Sequence, residues 1–268
     1  MTDREYRQRE GVSRSELWLL NPENGGTPEK FKWALEHPEK PAPALIFGTL
    51  VHCLLLEPEK CQEQFAVWDD SIKKTTKEGK ALYPQFLETL GDRQEVSLSS
   101  YNQASAMVEK LRETPFVNSL LAGTREAPFF WEDPDTNELC KIRLDCLTET
   151  RDALVIVDYK SASDASLDGF TRHALKYGYD FQSGMYCEGI ERVTGRTPRF
   201  VFIVQEKEPP FAVNVVEADP DFIQRGKDKM RELLGIYHEC KTSGNWPGYM
   251  GADPVIETLH LPSWAAKE

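Results

Sequence analysis

No stretch of this chain offers the roughly 18 consecutive apolar residues of a membrane-spanning helix. Its first residues, MTDREYRQREG, are charged throughout, where a secretory signal would carry an apolar run. Both absences lead us to expect a cytoplasmic protein with no membrane partner. Closely spaced cysteines are also missing. Cys53, Cys61, Cys140, Cys146, Cys187 and Cys240 form no C-x-x-C pair. A zinc or iron–sulfur centre is therefore not expected, and the thiols should be free and mostly buried. Positive charge is scarce: 32 Lys and Arg face 44 Asp and Glu, a formal net charge of −12. That excludes a surface coated in basic residues, although a locally basic groove can coexist with an acidic exterior. Internal repeats and low-complexity segments are absent too.

What is present is an ordinary globular composition, 40 % hydrophobic and 28 % charged over 268 residues, enough for a substantial core. No clean linker interrupts it, so residues 1–268 read as one domain. Residues 1–122 read as mostly helical, 123–243 as a sheet core and 244–268 as a tail. In SRSELWLL, Ser13 and Glu16 form a capping-box signature. Thr27 and Pro28 suit an N-cap and first helical position. ALIFGTLVHCLLLEP (44–58) is apolar nearly all round and predicts a buried helix, with Gly48 suggesting close backbone approach. TKEGKALYPQFLETLG and SSYNQASAMVEKLRET predict further helices, the second capped by Ser99 or Ser100.

The pattern changes near Thr124. REAPFFWED and LCKIRLDCLTE flank the turn cluster DPDTNE and predict a hairpin. ALVIVDYK, continuously apolar, predicts a central strand buried on both faces. A helix through YDFQSGMYCEGIERVTG follows, then strands RFVFIVQEK and FAVNVVEAD, then a long helix ending at Gly244. The expected architecture is α/β: a mixed central sheet of about five strands flanked by helices.

Asp145 lies in the second strand of the hairpin, and Asp158 and Lys160 lie at the end of the next. Neighbouring strands run about 4.8 Å apart, so two carboxylates on adjacent strands can share one hard cation such as Mg²⁺. Asp158 and Lys160, two apart, point to the same face, and the backbone carbonyl of Tyr159 between them is a further candidate ligand. Lys160 would stand beside an attacking water or a phosphate oxygen. A D-x-K triplet alone is usually a solvated strand end. The set of Asp145, a turn, an apolar strand and then D-x-K is more specific.

RLD, VIVDYKS, FGTLVH with its G-x-x-x-H spacing, and FQSGMY with its Q-x-x-x-Y spacing resemble the PD-(D/E)xK nuclease superfamily and its exonuclease branch. GTLVHCLLLEPEKCQEQFAV and the ending WPGY…LPSWA are similar to RecE-type (exonuclease VIII) nucleases of prophage origin, a likeness running from SRSELWLLNP to LPSWAAKE. Leu144 stands where the superfamily name has proline. The resemblance implies a PD-(D/E)xK fold and Mg²⁺-dependent digestion of double-stranded DNA ends, 5′ to 3′. Mn²⁺ would serve as a substitute ion. The product would be 3′ single strands for a RecT-type annealing protein in DNA recombination. It also implies a homo-oligomeric ring, a tetramer by the RecE likeness.

By position, the resemblance makes Asp145 and Asp158 metal ligands, Lys160 the catalytic lysine and His52 a further ligand. Glu126, Gln182 and Tyr186 would lie beside them. Each has a plainer alternative: His52 as a core histidine, Glu126 paired with Arg125, and Gln182 and Tyr186 as helix packing at i and i+4. Arg14 at a helix start could hold a 5′-phosphate or simply be solvated, and Trp131, Trp246 and Tyr249 could stack on bases or be structural. Two rival functions remain beside the exonuclease: a restriction-type endonuclease of the same superfamily, and an inactive nuclease-fold protein that only binds DNA. A Cas4-like enzyme would need a cysteine cluster that the chain lacks.

Overall fold

The structure is a computed structural model describing residues 1, 3–38, 42–251, 256 and 258–261. Most of LPSWA, part of the sequence likeness above, lies outside them. The elements in order are α1 (Asp3–Gln8), β1 (Val12–Ser13), α2 (Arg14–Leu17), α3 (Pro28–Glu36), α4 (Pro43–Leu56), α5 (Cys61–Gln64), β2 (Phe65–Trp68), α6 (Lys77–Leu90), β3 (Gln94–Ser97), α7 (Leu98–Arg112) and α8 (Pro115–Leu120). There follow β4 (Thr124–Glu132), β5 (Leu139–Glu149), β6 (Leu154–Ala162), α9 (Leu167–Lys176), α10 (Tyr179–Thr194), β7 (Arg199–Glu206), β8 (Val213–Glu217) and α11 (Pro220–Ser243).

The expected mixed sheet is present and has six strands, in the order β1-β5-β6-β7-β8 with β4 also on β5. The strand beyond the expected five is β1, two residues long and parallel to β5. A second unexpected feature is the parallel pair β2–β3 within the helical part. Segments this short carry no readable period, because their pairing is decided by distant partners.

Side-chain alternation along β6 sets the two cores. Leu154 and Ile156 face α10 and α11, with Phe181, Met185, Met230 and Leu233. Val155, Val157 and Tyr159 face α4 and α7, with Leu50, Val51, Met107 and Leu111. Strand β6 is thus buried on both faces, as a central strand with helices above and below must be. Asp158 and Lys160 share the parity of Ile156, which turns them toward α10.

Local signals place the helices. Ser13 caps α2 through Glu16 in a capping box, Thr27 caps α3 ahead of Pro28, and Gly244 ends α11 at φ 71°. Two local expectations are corrected. The cap of α7 is Ser97, whose Oγ accepts from Ser100 N at 3.1 Å, rather than Ser99 or Ser100. Helix α4 is buried only from Leu50 onward, and its first turns are open, with Leu45 61 % exposed. Gly48 accordingly has nothing within 4 Å of where a Cβ would stand; the backbone approach expected there is absent. Close approach occurs instead between α10 and α11: a Cβ on Gly226 would meet Asp180 O at 1.9 Å.

Candidate metal centre

Strand β5 has two edges, and its partners divide them unequally. Strand β4 runs antiparallel along residues 139–147. On the opposite edge β6 pairs only with Cys146–Glu149, and β1 only with Cys140 and Lys141. Between them, among the described residues, no strand lies beside the edge at residues 142–145. Continuing the β5–β6 register would set Asp145 opposite Asp158, but the ladder stops one pair earlier, at Cys146↔Val157. The amide of Tyr159, which would have joined the ladder, donates to Asp145 Oδ2 at 2.8 Å instead. A carboxylate replaces a backbone carbonyl as acceptor, so the splayed strands leave that donor satisfied.

The other face of this opening is built by an irregularity. Cys140, Ile142 and Leu144 face one core, but Cys146 faces the other and Leu147 returns to the first. The alternation slips at Asp145. Opposite it in the β4–β5 register stands Glu126, at φ 48°. A left-handed glutamate is uncommon and costs energy, and such residues concentrate where side-chain direction matters.

Three donors meet in the opening. His52 from α4, Glu126 from β4 and Asp145 from β5 each offer a ligand atom, all within 4.8 Å of one another. His52 Nδ1 lies 3.4 Å from Asp145 Oδ2, and its ring sits edge-on to Tyr159 at 5.2 Å. His52 is 28 % exposed, so it is not a fully enclosed core histidine. Glu126 pairs with Arg143, Nε to Oε2 at 2.8 Å, and not with Arg125, whose Nε donates to Leu121 O.

Asp158 stands outside this group of three. Its Oδ1 accepts from Gln182 Nε2 at 2.5 Å and its Oδ2 is ion-paired with Lys160 Nζ. The pair is almost fully buried. Burial drives the Asp158 carboxyl upward, against the pull of Lys160 and helped by repulsion from Asp145. Burial would lower Lys160, but Asp158 and Asp145 outweigh it and hold the ammonium above its ordinary value. Gln182 therefore does more than pack. Tyr186, one turn on, is half-buried against the core beside Phe200, and burial raises its hydroxyl. Its role as seen here is packing near the site.

Arg14 is not a solvated arginine. It follows β1 directly, so the short strand delivers it to the open edge of β5. Its guanidinium donates to Tyr177 O at 2.5 Å and Gly178 O at 2.7 Å and lies over the rings of Trp18 and Phe181. Burial lowers its pKa. Trp131 is buried, and Trp246 stacks on Phe31 at 5.5 Å, so both are structural. Tyr249 is 70 % exposed and bonds Gly25 O. Sequence reasoning missed Arg143 and Tyr179. Lys160 Nζ lies over the Tyr179 ring at 4.8 Å. Only its place three residues before Gln182 could have marked Tyr179 out.

One imidazole and two carboxylates form a hard, mixed N/O donor set that fits a divalent cation. The Tyr159 carbonyl would leave β6 on the same edge as its amide, toward this opening. All six cysteines are buried free thiols, as expected. No described helix is long and apolar enough to cross a membrane.

Residues 24–257 match the model of a family described as a PDDEXK-like domain of unknown function (DUF3799). The chain belongs to this family. It is thereby a member of the PD-(D/E)xK nuclease superfamily. The structure superimposes on a solved protein from Eubacterium rectale named "Putative exonuclease", with a TM-score of 0.67 over 97 % of this chain and 96 % of that one. Identity there is 15 %, so the likeness is one of fold. Among curated proteins, an ATP-dependent helicase/nuclease polypeptide of Alkaliphilus oremlandii is 32 % identical over 92 residues, 34 % of this chain. Its counterpart from Alkaliphilus metalliredigens is 40 % identical over 60 residues, 22 % of this chain. The matches span only 7 % and 5 % of those relatives' lengths.

Proposed function

We propose that this protein is a divalent-metal-dependent exonuclease that digests double-stranded DNA from its ends, 5′ to 3′. The 3′ single strands it leaves would serve recombination by a RecT-type annealing protein. The observation that carries the reading is the gap on the β5 edge, where His52, Glu126 and Asp145 converge beside the buried Asp158–Lys160 pair. In this reading the three donors hold the ion, with the Tyr159 carbonyl and Asp158 as further ligands. A bound divalent ion supplies Lewis-acid stabilisation of the phosphoryl oxygens. Lys160 presents an ammonium where negative charge develops on the phosphate, in a site dry enough for that charge to count. Gln182 fixes the direction of Asp158, and Asp158 fixes Lys160. The ion in this reading is Mg²⁺, with Mn²⁺ expected to substitute.

The end-cutting polarity, the RecT-type partner and a ring of four protomers rest on the sequence resemblance to RecE-type nucleases. The net charge of −12 adds a physical reason for the ring. Long-range attraction to phosphates is weak, and a closed head-to-tail ring retains DNA by topology instead. The test is digestion of linear against closed circular duplex with Mg²⁺, Mn²⁺ or EDTA. Loss of the linear form alone, abolished by EDTA, is expected. Cutting of the circle would favour the restriction-type endonuclease, and binding without cutting would favour the inactive nuclease-fold protein.

A further inference from the structure

Next to Lys160 a line of rings runs outward to solvent. Lys160 Nζ lies over Tyr179 at 4.8 Å. The Tyr179 hydroxyl is 3.4 Å from His173 Nε2, and the His173 ring is 4.5 Å from that of Tyr177. Lys176 Nζ reaches over Tyr177 at 5.4 Å. Tyr179 and His173 are half-buried, but Tyr177 at the end of α9 is 45 % exposed and belongs to neither core. One face of the Tyr177 ring packs on His173, and much of the rest faces solvent. Its backbone is nonetheless held rigidly, because Arg14 donates to its carbonyl and to that of Gly178.

Cationic side chains stand beside this line. Lys176 Nζ lies over the Tyr177 ring, whereas Lys160 at the inner end of the line is paired with Asp158. Arg172 is exposed on the same helix. A lysine over an exposed aromatic ring is a combination that holds single-stranded nucleic acid. The lysine meets a phosphate, and the ring offers a stacking face that any base can use.

We propose that Tyr177, backed by His173 and flanked by Lys176, is a binding rim for an unpaired DNA strand running away from the scissile phosphate. This rests on the nuclease reading only in taking Lys160 to mark where that phosphate sits. The rim's ligand is a single strand, because its bases can each turn a face to the ring, whereas bases inside a duplex are covered on both faces. Because Arg14 holds the backbone beneath the ring, less of the main chain has to be ordered on binding.

The experiment measures anisotropy of a short fluorescent single-stranded oligodeoxynucleotide in EDTA, so that binding is read without cleavage. Tyr177→Ala should weaken binding roughly tenfold or more, the loss expected for one stacked base. Tyr177→Phe should bind like wild type. Lys176→Ala should lower the slope of log affinity against log salt by about 0.7, one strand phosphate. Thermal unfolding of Tyr177→Ala should match wild type, since the ring lies outside both cores. Wild-type affinity in Tyr177→Ala, equal damage in Tyr177→Phe, or failure of the wild type to bind the strand would each overturn the rim. A parallel arm with Mn²⁺ and linear duplex separates the two readings. A wild type that binds the strand through Tyr177 but cuts nothing keeps the rim and removes the nuclease. One that cuts while Tyr177→Ala binds normally does the reverse.

Discussion

Replacing Gly226 by alanine should destabilise the protein, although the same change in an ordinary helix stabilises it. In a helix interior alanine gains about 1 kcal/mol over glycine. At Gly226 the new Cβ would stand 1.9 Å from Asp180 O and 2.5 Å from Asp180 C. Those are backbone atoms of α10 and cannot swing aside as a side chain would. The neighbouring contact is equally tight: a Cβ on Gly184 would meet Gly226 C at 2.3 Å. The helices must part against backbone atoms, at the upper end of the roughly 1–3 kcal/mol that overpacking costs, so after the gain of about 1 kcal/mol a net loss of up to about 2 kcal/mol is expected. Helix α10 carries Gln182, so the displacement also loosens the 2.5 Å bond to Asp158. Gly48→Ala provides the opposite sign, because its Cβ meets nothing, and should gain up to about 1 kcal/mol. Urea unfolding followed by circular dichroism reads both variants. A Gly226→Ala protein as stable as wild type would refute the crossing of α10 and α11 on which the argument depends.

Further expectations follow from the site. His52→Ala should raise the Mn²⁺ concentration for half-maximal cleavage by at least about tenfold while leaving thermal stability nearly unchanged; a stability loss with unchanged metal dependence would return His52 to the core. Lys160→Met should cut turnover by on the order of a hundredfold or more while DNA binding persists, and Asp145→Asn should abolish metal-dependent cleavage in a folded protein by circular dichroism. At the far end of the sheet, Asp133 and Glu138 hold the β4–β5 turn to α11. Burial would raise both carboxyls, but Arg231 and Thr136 for Asp133, and Lys241 and His238 for Glu138, hold them below the usual range. A depressed folded pKa gives stability that is present above the ordinary carboxylate pKa of about 4 and lost as pH falls through the folded value. Melting temperature should therefore drop on acidification below that range, and less so in Glu138→Gln.

The sheet core and the helices with strong caps were legible in the sequence because their signals are local. Ser13 with Glu16, Thr27 with Pro28, and the apolar run of β6 each dictate structure within a few residues. The identity of Asp145, Asp158 and Lys160 as a group was also legible, from order and spacing. Their arrangement around the opening was not. Asp158 turns to Gln182 and Lys160 because α10 packs over that face of β6, and Glu126 joins His52 and Asp145 because its backbone is left-handed. Neither fact has a signature in a short window. The pairing of Glu126 with Arg143, in place of the adjacent Arg125, follows from strand register. Strand β1 was invisible because two residues become a strand only when β5 is there to receive them. Gly48 misled for a related reason: an apolar segment suggested burial all round, whereas half of α4 is open.

The sharing of one edge of β5 between β6 and β1 has a kinetic consequence. The meander β4–β5–β6 closes short loops and can form early, whereas β1 must cross most of the helical part to reach Cys140 and Lys141. Loop closure over such a separation is costly before its contacts offset it. The docking of β1, and with it the delivery of Arg14, should then come after the main folding barrier. Weakening that strand, for example by Val12→Ala, should accelerate unfolding with little change in the folding rate. Stopped-flow chevrons would show it as a shift confined to the unfolding limb. The sheet would thus be assembled before its open edge is finished, so a partly folded chain carries the candidate metal donors of β4 and β5 while the segment holding Arg14 is still free.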